Sequence, residues 1–172
     1  KNNTTGYNSV ALGRRALLNN TTGNDNTAVG WNALVSNTTG SSNVSVGLQS
    51  LNSNTTADNN TAVGYQAGYS FTTGGYSTVM GYQAAQNRAA LINNTTANNN
   101  VAVGYQAGYS NTTGDRIVAV GEGSLYSNTT GGYNVALGSK PLRLNTTGAS
   151  NVAIGHEALY SNTTASNNTA VG

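Results

Sequence analysis

Cysteine is absent from the 172 residues, proline and histidine each occur once, and charge is confined to seven basic and five acidic side chains. Without cysteine, neither a disulfide framework nor a zinc–thiolate site is possible. A single histidine, His156, argues against a His-based catalytic or metal centre. Leu, Ile, Val and Phe together supply only 30 of 172 residues, too few for a large conventional core. The net charge of +2 nevertheless lacks the excess that usually accompanies disorder. No apolar run approaches the roughly 20 residues that span a bilayer, and no secretory signal pattern is expected at the start. The opening Lys1-Asn2-Asn3-Thr4 reads as the middle of a longer polypeptide. What fills the chain instead is Asn (28), Thr (24) and Gly (22).

These residues are organised as a repeat. A small apolar cassette ends at Gly13, Gly30, Gly47, Gly64, Gly81, Gly104, Gly121, Gly138, Gly155 and Gly172. Every spacing is 17 except one of 23, between Gly81 and Gly104. Removing the six residues Ala85 to Ala90 restores register there. Composition does not shift along the chain, so residues 1–172 read as one domain of about ten units with a six-residue insertion at 85–90.

With the glycine as position 1, position 17 is always a sizeable aliphatic (Leu12, Val29, Val46, Val63, Met80) and position 15 always β-branched (Val10, Thr27, Val44, Thr61, Thr78). Position 16 between them is small, Val79 excepted. Alternation of this kind predicts a short strand with positions 15 and 17 facing inward and 16 outward. A second short strand is expected around position 5, where Leu17, Leu34, Leu51, Leu125, Leu142 and Leu159 recur and Gly68 and Gly108 intervene. Asn-Thr-Thr followed by Gly or Ala supplies a turn at positions 8 to 11. Two strands and two turns in 17 residues make one coil of an all-β parallel β-solenoid, with coils stacked about 4.8 Å apart. Stacking places like on like, and the Asn at position 14 (Asn26, Asn43, Asn60, Asn100, Asn134, Asn151, Asn168) is expected to form an amide ladder. The small columns at positions 16 and 4 (Ala16, Ala33, Ser50, Ala67) read as surfaces for close approach of another rod, three rods around an axis being the favoured arrangement.

Asn8-Ser9-Val10-Ala11-Leu12-Gly13 and Asn151-Val152-Ala153-Ile154-Gly155 resemble the repeat of trimeric autotransporter adhesin heads, and similar repeats occur in phage tail-fibre segments. The resemblance runs through every unit. It implies a left-handed parallel β-roll, a homotrimer or filament, and an extracellular, cell-surface or virion role as stalk or adhesin. The coil here is longer than the family's usual coil, and the Asn-Thr-Thr-Gly corner is not part of the family pattern. The family has no catalytic residues to carry over.

No constellation of residues points to catalysis, a cofactor or a metal, and the chain is expected not to be an enzyme. His156 shares position 2 with Arg14, Trp31, Leu48, Tyr65, Tyr82, Tyr105, Glu122 and Ser139, a mixture that fits a solvent-facing column. Net charge is too low to argue for nucleic acid. Two surface features remain. Asn3, Asn20, Asn37, Asn54, Asn94, Asn111, Asn128, Asn145 and Asn162 each begin Asn-Thr-Thr and are candidate glycosylation sites. The tyrosines form rows: Tyr65, Tyr82 and Tyr105 at position 2, Tyr69, Tyr109, Tyr126 and Tyr160 at position 6, and Tyr7, Tyr76 and Tyr133 in the turn before the strand. Those at positions 2 and 6, with Arg88 as the only charge of the insertion, are candidates for binding glycans or a host surface. The leading expectation is a non-enzymatic structural fibre segment: stalk, adhesin head or self-assembling filament. The alternative is a receptor- or glycan-binding module that uses the tyrosine rows and the 85–90 loop.

Overall fold

The computed structural model describes residues 3–84 and 96–172. The insertion at 85–90, with Arg88, and Asn94 lie outside the described residues. The ten predicted strands are present: β1 (Val10–Leu12), β2 (Thr27–Val29), β3 (Val44–Val46), β4 (Thr61–Val63), β5 (Thr78–Met80), β6 (Val101–Val103), β7 (Val118–Val120), β8 (Val135–Leu137), β9 (Val152–Ile154) and β10 (Thr169–Val171). They form one sheet in sequence order, each strand parallel to the next. Register is that of the repeat: Thr27 opposes Val44, Ala28 opposes Ser45 and Val29 opposes Val46. The 23-residue unit does not disturb it, since Thr78 opposes Val101 and Met80 opposes Val103. The chain is an all-β solenoid of about nine turns.

The strand faces are the reverse of the sequence expectation. Position 16 points inward, with Ala28, Ser45, Ala62, Ala119, Ala136 and Ala153 fully buried. Positions 15 and 17 face outward, and Val10, Leu12, Val44, Met80 and Ile154 are exposed. The reason is the width of the tube. The opposite wall supplies Leu34, Leu51, Leu125 and Leu142, all fully buried. A Cβ built on Gly68 or Gly108 at that wall would lie 3.8 Å from the Ala62 Cβ or 3.7 Å from the Ala102 Cβ. Two large side chains cannot meet across such a gap, so the strand contributes alanine and the other wall leucine. The small column at position 4 is interior too, with Ala33, Ser50, Ala67 and Ala84 fully buried. Neither small column is therefore available to another rod.

No strand forms around position 5 among the described residues; a run of turns takes its place. Its residues alternate in backbone sign: Asn32 and Leu34 have φ of 56° and 49°, Gln49 and Leu51 57° and 45°. The alternation lets the segment bond in both directions, with the Asn32 N–H donating to the Arg14 carbonyl below and the Leu34 N–H to the Ser50 carbonyl above. Left-handed φ is costly for leucine, about 1–2 kcal/mol per residue, and full burial offsets it.

Side-chain ladders run the length of the rod. At position 14 the asparagine oxygen accepts the backbone N–H of the next coil, as Asn26 Oδ1 does from Asn43 (3.0 Å) and Asn43 Oδ1 from Asn60 (3.0 Å). Amide donates to amide there only in part, for example Asn43 Nδ2 to Asn26 Oδ1 at 3.2 Å. The fuller amide-to-amide ladder is at position 8, in the Asn-Thr-Thr corner. Asn37 Nδ2 donates to Asn20 Oδ1 (2.8 Å) and Asn54 Nδ2 to Asn37 Oδ1 (2.9 Å). The ladder resumes through Asn111, Asn128, Asn145 and Asn162. The second hydrogen of Asn37 Nδ2 goes to the Gly40 carbonyl at 2.8 Å, closing the turn. Asn37→Ala would strand the Asn20 oxygen in the interior and leave one Asn54 Nδ2 hydrogen without its acceptor, the other still donated to the Ala57 carbonyl at 3.2 Å. At about 1–3 kcal/mol per unsatisfied buried group, the variant is expected to lose about 2–3 kcal/mol in urea unfolding. A change below a few tenths would contradict the ladder.

Candidate interaction surface

The asparagines proposed as glycan acceptors are mostly interior. Asn37, Asn54, Asn128 and Asn145 are fully buried and Asn20 nearly so. Both hydrogens of the Asn37 and Asn145 amide nitrogens are already donated, so a glycan there would break the ladder and the turn together. Asn111 and Asn162 are half-buried, and Asn3 is exposed. Its amide nitrogen donates to the Gly6 carbonyl at 2.7 Å. The first threonine hydroxyl of the pair is also committed along the stack, Thr38 Oγ1 donating to the Thr55 carbonyl at 3.0 Å and Thr129 Oγ1 to the Thr146 carbonyl at 2.9 Å. The second threonine (Thr22, Thr39, Thr56) is exposed.

The tyrosine rows stack on themselves. Tyr65 and Tyr82 have ring centroids 4.9 Å apart with planes 18° apart, and Tyr82 and Tyr105 follow at 5.7 Å and 25°. In the position-6 row Tyr109 and Tyr126 are parallel to within 1° at 4.9 Å, and the Arg143 guanidinium sits 4.5 Å over the Tyr126 ring. That guanidinium occupies the space a side chain on Gly123 would fill. Tyr69 and Tyr160 share the same column, half-buried. Sugar rings pack on aromatic faces. The faces between Tyr65, Tyr82 and Tyr105 and between Tyr109 and Tyr126 are covered by neighbouring rings, so these stacks offer mainly edges and hydroxyls. Tyr76 and Tyr133 directly precede the residue at ladder position 14, and Tyr7 lies one residue earlier in its coil, so these three are not a single column. Arg116 Nη1 donates to the Tyr133 hydroxyl at 2.7 Å.

The surface that sequence reasoning missed is the outer strand face. Columns 15 and 17 present valine, threonine, leucine, methionine and isoleucine in every coil, and position 2 follows two residues later with Trp31, Leu48, Tyr65, Tyr82 and Tyr105. Trp31, Tyr65, Tyr82 and Tyr105 are 38–48% exposed. The signal for this face was present in the sequence: threonine at position 15 in four of ten coils tolerates water, whereas position 16 admits almost nothing larger than alanine or serine. Exposed apolar strips of this length mark contact surfaces.

His156, Glu157 and Glu122 are exposed. Among the described residues no group of three or more His, Asp or Glu side chains is placed to hold a metal ion. Among the described residues no helix is long and apolar enough to cross a membrane. No family model, curated protein or solved structure matches the chain.

Proposed function

We propose that the chain is a non-enzymatic structural shaft, a segment of a fibre displayed outside the cell or on a virion as stalk, adhesin head or self-assembling filament. The observation that carries this reading is the uninterrupted in-register stack of ten strands, each coil bonded to the next by backbone and by side-chain ladders. A coil whose interior is filled by alanine and leucine has no room for a ligand, and its repetition makes length rather than a pocket. The outer strand face, not the small columns, is the surface that would join it to other copies. The exposed tyrosines of position 2 support a second reading, a receptor- or glycan-binding module, though their edge-on presentation favours hydroxyl contacts over ring stacking.

Negative-stain electron microscopy tests the shaft. Ten coils at about 4.8 Å give particles about 48 Å long for one chain, or longer if chains join end to end. Compact, equant particles would overturn the reading.

A further inference from the structure

The outer ridge has a charge pattern that selects one kind of neighbour. Along seven successive coils, position 2 reads Arg14, Trp31, Leu48, Tyr65, Tyr82, Tyr105, Glu122. Columns 15 and 17 over the same coils hold only valine, threonine, leucine and methionine. The three columns therefore carry two charges, of opposite sign, one at each end. The ridge is continuous, since the strands pair in register through all seven coils.

We propose that this ridge pairs with the same ridge of a second copy of the chain, antiparallel, about a two-fold axis passing beside Tyr65. That axis sets Arg14 against Glu122 of the other copy twice over, Trp31 against Tyr105, Leu48 against Tyr82 and Tyr65 against itself. Column 17 then faces column 17, aliphatic on aliphatic. A parallel assembly about an axis along the rod does the opposite: at each height every copy brings its Arg14 to Arg14 and its Glu122 to Glu122. Exposed charge pairs contribute little affinity, but like charges in contact discriminate effectively between arrangements. The area is sufficient. Seven coils at about 4.8 Å by five residues at about 3.3 Å give a face of about 34 by 16 Å. Two such faces bury about 1,100 Å2, just above the roughly 1,000 Å2 that a specific interface needs. The pairing rests on the shaft reading for its uncovered ridge, yet can fail without it: long but unpaired rods would leave the shaft intact.

The absence of cysteine makes the test clean. Tyr65→Cys alone is expected to form a disulfide-linked dimer under mild oxidation. Trp31→Cys alone is expected not to, while an equimolar mixture of Trp31→Cys and Tyr105→Cys gives the mixed dimer. Arg14→Glu is expected to weaken self-association in sedimentation equilibrium about tenfold, and Arg14→Glu with Glu122→Arg to restore it. All these positions are on the surface, and circular dichroism verifies each fold. Self-linking of Trp31→Cys shows a parallel assembly and overturns the proposal. So does a monomeric wild type at micromolar concentration, or an Arg14→Glu variant that the second reversal does not rescue.

Discussion

Gly47→Ala is expected to abolish the cooperative fold. At φ 132° the residue occupies a backbone region closed to other L-amino acids. A Cβ there would lie 2.7 Å from the Gly64 carbonyl carbon and closer still to its oxygen. The obstacle is backbone of the next coil, which cannot yield without opening the hydrogen bonds that flank it, such as that from the Gly64 N–H to the Val46 carbonyl at 2.8 Å. Backbone strain and lost coil contacts together cost about 4 kcal/mol or more, the range of exceptional single substitutions. Because each coil touches only its neighbours, the break divides the stack, and thermal unfolding is expected to lose its single transition. Gly108→Ala is the control. Its φ of 59° is close to the values that leucines adopt at the same position in other coils, and its Cβ would meet only Ala102 and Ile117 side chains, each at 3.7 Å. That variant is expected to stay within about 1 kcal/mol of wild type. Equal stability of the two variants would refute the stacking geometry.

The second large effect concerns a coil that breaks two columns at once. Gly68 replaces the leucine of position 5, and Phe71 replaces the asparagine of position 8. Phe71 belongs to the buried core, with its Cδ2 3.8 Å from where the Gly68 Cβ would stand. The aromatic ring fills the volume that the missing leucine vacates. It also ends the amide ladder, leaving Asn54 Oδ1 buried without a partner. Phe71→Ala is expected to lose about 3–5 kcal/mol, the usual range for emptying an aromatic core site. Gly68→Leu alone overpacks, with its Cβ 3.0 Å from Leu51 Cδ2, and is expected to lose about 1–3 kcal/mol. Made together, Gly68→Leu and Phe71→Asn rebuild the coil around Leu34 and Asn37, and stability is expected to return to within about 1 kcal/mol of wild type. Val79 in the same coil takes more room than the usual alanine, so adding Val79→Ala should complete the recovery. Urea unfolding of wild type, Gly68→Leu, Phe71→Asn and the double variant measures the coupling. Additive losses would show that ring and leucine do not share one space.

Gly108 and Ile117 repeat the logic elsewhere. The Ile117 Cδ1 lies 3.7 Å from the position a Gly108 Cβ would take, and isoleucine there interrupts the ladder of position 14. Each missing leucine is thus matched, within its own coil, by one larger residue at a ladder position. That correlation was legible in the sequence and identifies positions 5, 8 and 14 as one interior. It runs across columns, whereas each column taken alone points to the opposite strand face. Aliphatic size suggested that positions 15 and 17 lie inside. Position 16, small everywhere but at Val79, and the leucines across from it decide otherwise.

The corner asparagines illustrate the same limit. As a motif, Asn-Thr-Thr offers both a turn and a glycan acceptor. The motif does not reveal whether the amide points along the rod axis or away from it. In the folded coil Asn37 and Asn145 point inward and donate both hydrogens, and the second threonine of the pair alone meets solvent.

The sequence by itself determined the strand around positions 15 to 17, the parallel order and the register; the structure trims the strand to three residues. A constant repeat lets identical residues stack only one way, and a six-residue insertion outside the strand does not alter that. Tertiary structure made plain which side of the strand is interior, and it decided which amides form ladders. Both depend on the distance across the tube, set by how 17 residues close on themselves, and a period of two residues is the same whichever face is turned in.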